Sequence, residues 1–196
     1  HARGGEPMDS WHRRGTIVTG NTSPVVAVST HFDCAVCPET RSAFPWFERA
    51  ILEDLPKEYT VVGHCHPRAK LVPAKFRAAG IDFYDDFDDI LRIADIYVCD
   101  QSSTLYEFAS TGRPVLCYNA PIYRRHVNHG LRFWDSPPGL QCDNQDDLLQ
   151  SVMLALADPP SLKEIRARGL AEAYLACDGY AAARAAAAIL HWRENL

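Results

Sequence analysis

The residues whose types and spacing carry the most chemistry stand in one stretch, Ala94 to Pro114 (ADIYVCDQSSTLYEFASTGRP). An apolar, β-branched run ends at Asp100, a pair of serines follows, and a helical pattern begins. A helix N-terminus presents backbone N–H groups with no intrahelical partner. With the hydroxyls of Ser102, Ser103 and Thr104 beside them, such groups form a phosphate site. Glu107 follows Ser103 by about one helical turn, near the same mouth. A carboxylate accepts two hydrogen bonds and a ribose diol donates two, so Glu107 suits a sugar next to that anion. The same spacing also serves a helix with nothing bound, in which a serine caps the first turn and Glu107 favours the helix dipole. Spacing alone leaves both readings open.

Three further segments put reactive side chains just after apolar runs. His66-Pro67-Arg68 follows Tyr59 to Gly63, where an imidazole and a guanidinium bind or protonate a diphosphate; the plainer alternative is a turn with a capping histidine. His64 is read as structural. Ser29-Thr30-His31 follows Val25 to Ser29, and His31 is either a phosphate or acid–base residue or an ordinary loop histidine. Arg41 adds a cation, or Pro38 to Ser42 simply opens a helix with Glu39 at its positive end. Tyr123 to His126, His129 and Arg132 to Gly139 form a basic, aromatic loop. Arg124, Arg125 or Arg132 there neutralises phosphate or sits in solvent, and spacing does not choose between them.

These segments need elements to position them. Apolar runs at 25–29, 59–63, 81–84, 96–99 and 115–118 read as strands, and they alternate with helical patterns over 43–55, 68–79, 87–93 and 103–111. Gly80 and Gly112 stand where helices must stop. Helices over about 145–157, 161–175 and 179–193 complete the chain. Uniformly apolar strands alternating with helices imply an α/β fold, a Rossmann-like parallel sheet covered by helices on both faces. Such sheets bind ligands at the carboxyl ends of their strands, where these segments lie. Residues 1–20 read as a linker or the tail of a preceding domain, and 21–196 as one nucleotide-binding domain.

Composition agrees with that class. The chain has 196 residues, 47% of them hydrophobic, enough for one buried core. A formal net charge of −5 offers no general attraction for nucleic acid. No apolar run is long enough to span a bilayer, and the expected location is cytoplasmic, extending to the membrane periphery. The seven cysteines are an odd number, and Cys99 and Cys117 fall inside strands, which argues against a disulfide framework. Cys34-x-x-Cys37 with His64-Cys65-His66 contains ligand types but lacks the second pair of a structural zinc site, so no metal is expected. The acidic cluster Asp85 to Asp89 reads as the top of a helix.

The block Asp100-x-Ser102-Ser103-x-x-x-Glu107-x-Ala109, followed by Gly112-Arg113-Pro114, resembles the donor-nucleotide motif of the CDP-glycerol glycerophosphotransferases. UDP-N-acetylglucosamine 2-epimerases show a similar block. The resemblance covers about Val25 to Ala157. It implies that Ser102, Ser103 and Thr104 hold a donor diphosphate, that Glu107 holds the ribose, and that His66-Pro67 with Arg68 matches the family's His-Pro. It implies half of a two-domain GT-B architecture, with His31 and His66 catalytic and Arg68 and Arg124 among the donor-binding residues. The implied partners are CDP-glycerol or a nucleotide sugar, an acceptor polymer or sugar, and an upstream acceptor domain. No further cofactor is implied.

Overall fold

The computed structural model describes residues 23–34, 36, 38–126 and 137–195. Six parallel strands form its sheet: β1 (Val25–Ser29), β2 (Thr60–Gly63), β3 (Asp82–Phe83), β4 (Ile96–Cys99), β5 (Val115–Tyr118) and β6 (Leu140–Cys142), in the order β3-β2-β1-β4-β5-β6. This is the doubly wound order, and its reversal falls between β1 and β4. The five expected strands are present, β3 cut to two residues. β6 was not expected: Leu140-Gln141-Cys142 is a short, mixed run at the sheet edge, after Pro137-Pro138-Gly139.

Successive side chains leave a strand on opposite faces, so each strand feeds two cores. On one face, Val26, Val28, Ile96, Val98, Leu116 and Tyr118 pack with Phe44, Phe47 and Phe76. These come from α1 (Phe44–Arg49) and α2 (Val72–Ala78). On the other, Ala27, Tyr97, Cys99 and Cys117 pack with Ile90, Leu91, Leu105 and Phe108. These belong to α3 (Phe87–Ile93) and α4 (Thr104–Ala109). The C-terminal helices are α5 (Leu148–Ala157), α6 (Pro160–Ala173) and α7 (Ala181–Glu194).

Helix boundaries depart from the sequence pattern for local reasons. The expected helix over 43–55 is α1, then a π turn (Ala50–Asp54) and a 3₁₀ turn (Leu55–Lys57) that contains Pro56. α2 begins at Val72 rather than Arg68, with Pro73 in its first turn. Gly80 and Gly112 end α2 and α4 at φ +74 and +84, a backbone region costly for side chains with a Cβ. Asp86 caps α3, its carboxylate accepting from the Asp88 N–H at 2.9 Å, so the acidic cluster tops a helix as expected.

Candidate nucleotide and phosphate site at the strand ends

The switch point between β1 and β4 is organised by Asp100. Its carboxylate is fully buried and accepts from the Thr30 hydroxyl (2.7 Å), the His31 N–H (2.6 Å) and the Ala43 N–H (2.9 Å). Thr30 spends its proton on Asp100, so the Ser42 hydroxyl donates to Thr30, at 2.5 Å. Burial raises the Asp100 pKa, opposed by the bonds from Thr30, Ala43 and His31. The aspartate of the motif therefore clamps the loop from β1 to α1. It sets where His31 sits and leaves ligand contact to its neighbours. Sequence reasoning missed this role, because the partners lie 57 to 70 residues away.

The structure brings His31 and His66 together, with ring centroids 5.2 Å apart. The His66 N–H donates to the Thr30 carbonyl at 2.9 Å, tying the two loops. Their hydrogen bonds assign opposite tautomers. His31 Nδ1 lies 3.0 Å from the Phe32 carbonyl and 3.1 Å from the Thr40 carbonyl, both acceptors, so Nδ1 carries the proton and Nε2 the lone pair. His66 Nδ1 accepts from the Arg68 N–H at 3.1 Å, so in the neutral ring Nε2 carries the proton. Burial, then His31, then Arg68 lower the His66 pKa, which keeps that ring neutral. One imidazole is thus built to take a proton and the other to donate a hydrogen bond. Phe32 packs against both rings, at 4.3 and 4.8 Å, and the Arg68 guanidinium lies 4.1 Å over its face.

Beyond Asp100, the two serines divide the work. Ser102 Oγ accepts from the Thr104 N–H at 3.3 Å and bonds Thr104 Oγ1 at 2.8 Å, and Tyr97 OH lies 2.9 Å from that Oγ1. Ser102 is the internal cap, and Thr104 completes its frame. Ser103 is exposed, makes no capping bond, and has no partner for its hydroxyl or its N–H among the described residues. α4 spans only Thr104–Ala109, so its dipole contributes little, and what this turn offers an anion is local N–H and O–H donors. Glu107 is half-buried, with no partner for its carboxylate among the described residues, and burial raises its pKa. A half-buried carboxylate with no protein partner is open to hydroxyl donors.

Arg124 lies in a different setting. Its Nε and Nη2 bond the fully buried Glu39 carboxylate at 2.6 and 2.9 Å, and its N–H bonds it at 3.0 Å. Thr40, the next residue, supplies a carbonyl to His31, so this pair supports the loop that holds the histidine. Glu39, which stands in the 3₁₀ turn Pro38–Thr40, is in addition the buried anchor for Arg124. Arg41 forms an exposed pair with Asp33, at 2.7 and 2.9 Å, and Arg125 pairs with Asp143. His129 and Arg132 lie outside the described residues, as does Cys37. His64 is buried against Ser29 Oγ at 2.8 Å, its pKa lowered to about 4 chiefly by burial, in keeping with a structural role. Arg113 is also structural, donating to the Leu91 and Ala94 carbonyls that end α3. The described cysteines are free thiols.

The strand ends thus carry two histidines whose hydrogen bonds favour opposite tautomers, the N–H and O–H donors of Ser103, and the Glu107 carboxylate. Together these groups can hold a diphosphate and a diol and move one proton. Comparison with known proteins gives the family and the fold. A profile described as CDP-Glycerol:Poly(glycerophosphate) glycerophosphotransferase matches residues 35–191. A teichoic acid glycerol-phosphate primase of Bacillus spizizenii is 27% identical over 115 residues, 56% of this chain and 30% of that protein. A processive diacylglycerol beta-glucosyltransferase of Bacillus licheniformis is 29% identical over 97 residues, 49% of this chain and 24% of that protein. The chain thus spans under a third of the length of these curated relatives. Among solved structures, the wall teichoic acid polymerase TagF matches with a TM-score of 0.60 at 12% identity, over 95% of this chain and 47% of that one. A Listeria monocytogenes protein described as a UDP-N-acetylglucosamine 2-epimerase matches with a TM-score of 0.53 at 18% identity, over 96% of this chain and 52% of that one. At these identities the structures speak for the fold.

Proposed function

The chain belongs to the CDP-glycerol:poly(glycerophosphate) glycerophosphotransferase family, and we propose that it is the donor-binding half of a two-domain, GT-B-type transferase that moves glycerophosphate from CDP-glycerol to an acceptor hydroxyl. The observation that carries this reading is the pair of complementary imidazoles, His31 and His66, on loops that Asp100, at the end of β4, ties to the turn bearing Ser103. Glu107 accepts from the ribose diol. The N–H and hydroxyl of Ser103 donate to the diphosphate, and Ser102 and Thr104 keep that turn in shape. Arg68 adds positive charge, and Arg124 steadies the loop bearing His31.

In the transfer, the acceptor oxygen bonds to the β-phosphorus as the bond from that phosphorus to the bridging oxygen breaks. Cytidine monophosphate leaves with the electron pair. The hydroxyl proton passes to His31 Nε2, and His66 Nε2–H donates to a phosphate oxygen as negative charge develops there. The acceptor side of the enzyme is assigned to an upstream domain. A cytoplasmic protein, working at the membrane periphery, suits this reading; among the described residues no helix is long and apolar enough to cross a membrane.

The likeness to a glucosyltransferase supports a second reading, in which a nucleotide sugar occupies the same groups and attack falls on its anomeric carbon. A thermal-shift panel of CDP, UDP, GDP, ADP and CDP-glycerol tests both, because a ligand that binds only the folded state raises its stability. CDP and CDP-glycerol are expected to raise Tm most. A larger shift with UDP favours the second reading, and no shift with any nucleotide contradicts the proposal.

A further inference from the structure

Helix α7 buries none of its 14 residues, and all of them but Arg184 are exposed. Its bulkiest apolar side chains stand in solvent, Ile189 66% exposed and Trp192 65%. Alanine favours a helix, yet an isolated helix of about this length is marginal in water, and helices in proteins are held chiefly by packing an apolar face. α7 has such a face. Ala182, Ala185, Ile189 and Trp192 recur at spacings of three, four and three, so they form one continuous stripe along the helix. Arg184 lies off this stripe, in an ion pair with Asp178 at 2.7 Å.

The stripe is graded in size and in charge, and both gradients fit a second copy of itself. Its first half is small, its second half large. Two copies set antiparallel about a two-fold axis place Trp192 across from Ala182 and Ile189 across from Ala185, so large side chains fill the space over small ones. A parallel pair sets Trp192 against Trp192. The charges agree. Arg193 stands in the last turn and Asp178 just ahead of the first, its carboxylate side chain still 48% exposed beside Arg184. The antiparallel register brings Arg193 of each copy within about one turn of Asp178 of the other, and opposes the two helix dipoles favourably. An anionic lipid surface fits less well: Arg184 and Arg193 are balanced by Asp178 and Glu194, so the helix presents no basic face.

We infer that α7 is a self-association surface, on which two copies of this chain pair as an antiparallel, two-fold helix pair. Ala182, Ala185, Ile189 and Trp192 form the seam, and Arg193 with Asp178 of the second copy closes it at both ends. One helix from each copy covers less than the roughly 1,200 Å² of a stable complex, so the pair is weak and concentration-dependent, with Kd of micromolar order. None of the strand-end residues takes part, and the inference stands apart from any nucleotide bound there.

The test is analytical ultracentrifugation of the 196-residue chain over a range of micromolar concentrations, with far-UV circular dichroism beside it. A monomer–dimer equilibrium is expected. Ala185→Glu, which sets a charge in the seam, should raise the dimer Kd at least tenfold. Ala187→Glu lies on the opposite side of the helix and should change it less than twofold. Arg193→Glu should weaken the dimer and Arg193→Lys should retain it. All four sites are exposed and glutamate is a good helix former, so the monomer should stay folded in each variant. A chain that remains monomeric throughout, a dimer indifferent to Ala185→Glu, or an open series of larger species overturns the inference. So does binding of the monomer to phosphatidylglycerol vesicles that Ala185→Glu abolishes, which would assign the stripe to a membrane surface instead.

Discussion

Replacing Glu107 by alanine separates a ligand-binding carboxylate from one that supports its helix. In the free protein this carboxylate is half-buried and unpartnered among the described residues, and burial alone raises its pKa. A carboxyl whose folded pKa lies above its unfolded value costs stability as pH rises through that interval. Its removal at neutral pH should therefore leave Tm unchanged or raise it, the more so because alanine is the better helix former. Binding runs the other way. Two hydrogen bonds from a ribose diol to a charged acceptor are lost, each worth about 1.5 to 3 kcal/mol in full. Partial exposure and non-additivity bring the expected loss to about 2 kcal/mol, roughly a 30-fold rise in Kd. In the wild type, affinity should climb with pH through the raised pKa and then level off; in Glu107→Ala that rise should vanish. Calorimetric titration with CDP at several pH values, beside thermal melts, reads both quantities. A variant with lowered Tm and unchanged affinity would show that the carboxylate belongs to the fold alone, and the ribose assignment would be withdrawn.

Asp100→Ala should cost at least about 3 kcal/mol in urea denaturation, since it strands three donors, at Thr30, His31 and Ala43, in a buried place; a loss under about 1 kcal/mol would contradict the clamp. Gln101 is 4% exposed, and neither its Oε1 nor its Nε2 has a partner among the described residues. Gln101→Met should therefore stabilise the chain by about 1 kcal/mol, and a clear fall in Tm would show that the amide is satisfied in solution. His64 has its pKa lowered from 6.5 to about 4, so the unfolded chain binds the extra proton first. The stability this represents is full above about pH 6.5 and falls away toward pH 4, by about 3 kcal/mol in all. His64→Asn should flatten that part of the pH profile, and an unchanged slope would assign it to other groups.

Much of the fold could be read from the chain because its strands are short, apolar and separated by helical patterns. Val25–Ser29, Ile96–Cys99 and Val115–Tyr118 lie where the apolar runs put them. β6 escaped because an edge strand of three residues with a central glutamine carries no periodic signal. The turn from β4 into α4, and the histidines after β1 and β2, were legible because strand ends are where such sheets place chemistry. What was not legible depends on distance along the chain. The Asp100 clamp and the Glu39–Arg124 pair join residues 57 to 85 positions apart, and no local pattern marks a carboxylate as buried. The tautomers of His31 and His66 likewise follow from carbonyl and N–H positions that only the folded loops supply. The expected helix over 68–79 lost its first turn to the loop that holds His66, where Arg68 donates its N–H to the ring instead.

The central claim is that a nucleoside diphosphate and its transferred group lie across the ends of β1, β2 and β4. Amide and imidazole shift mapping of CDP-glycerol on the isotope-labelled chain tests it most directly. The account predicts the largest perturbations at His31, His66 and Ser102 to Glu107, with the His66 Nε2 proton moving on binding and the His31 Nδ1 proton staying in place. Saturable binding whose perturbations fall away from these residues, or no binding at all, would contradict it.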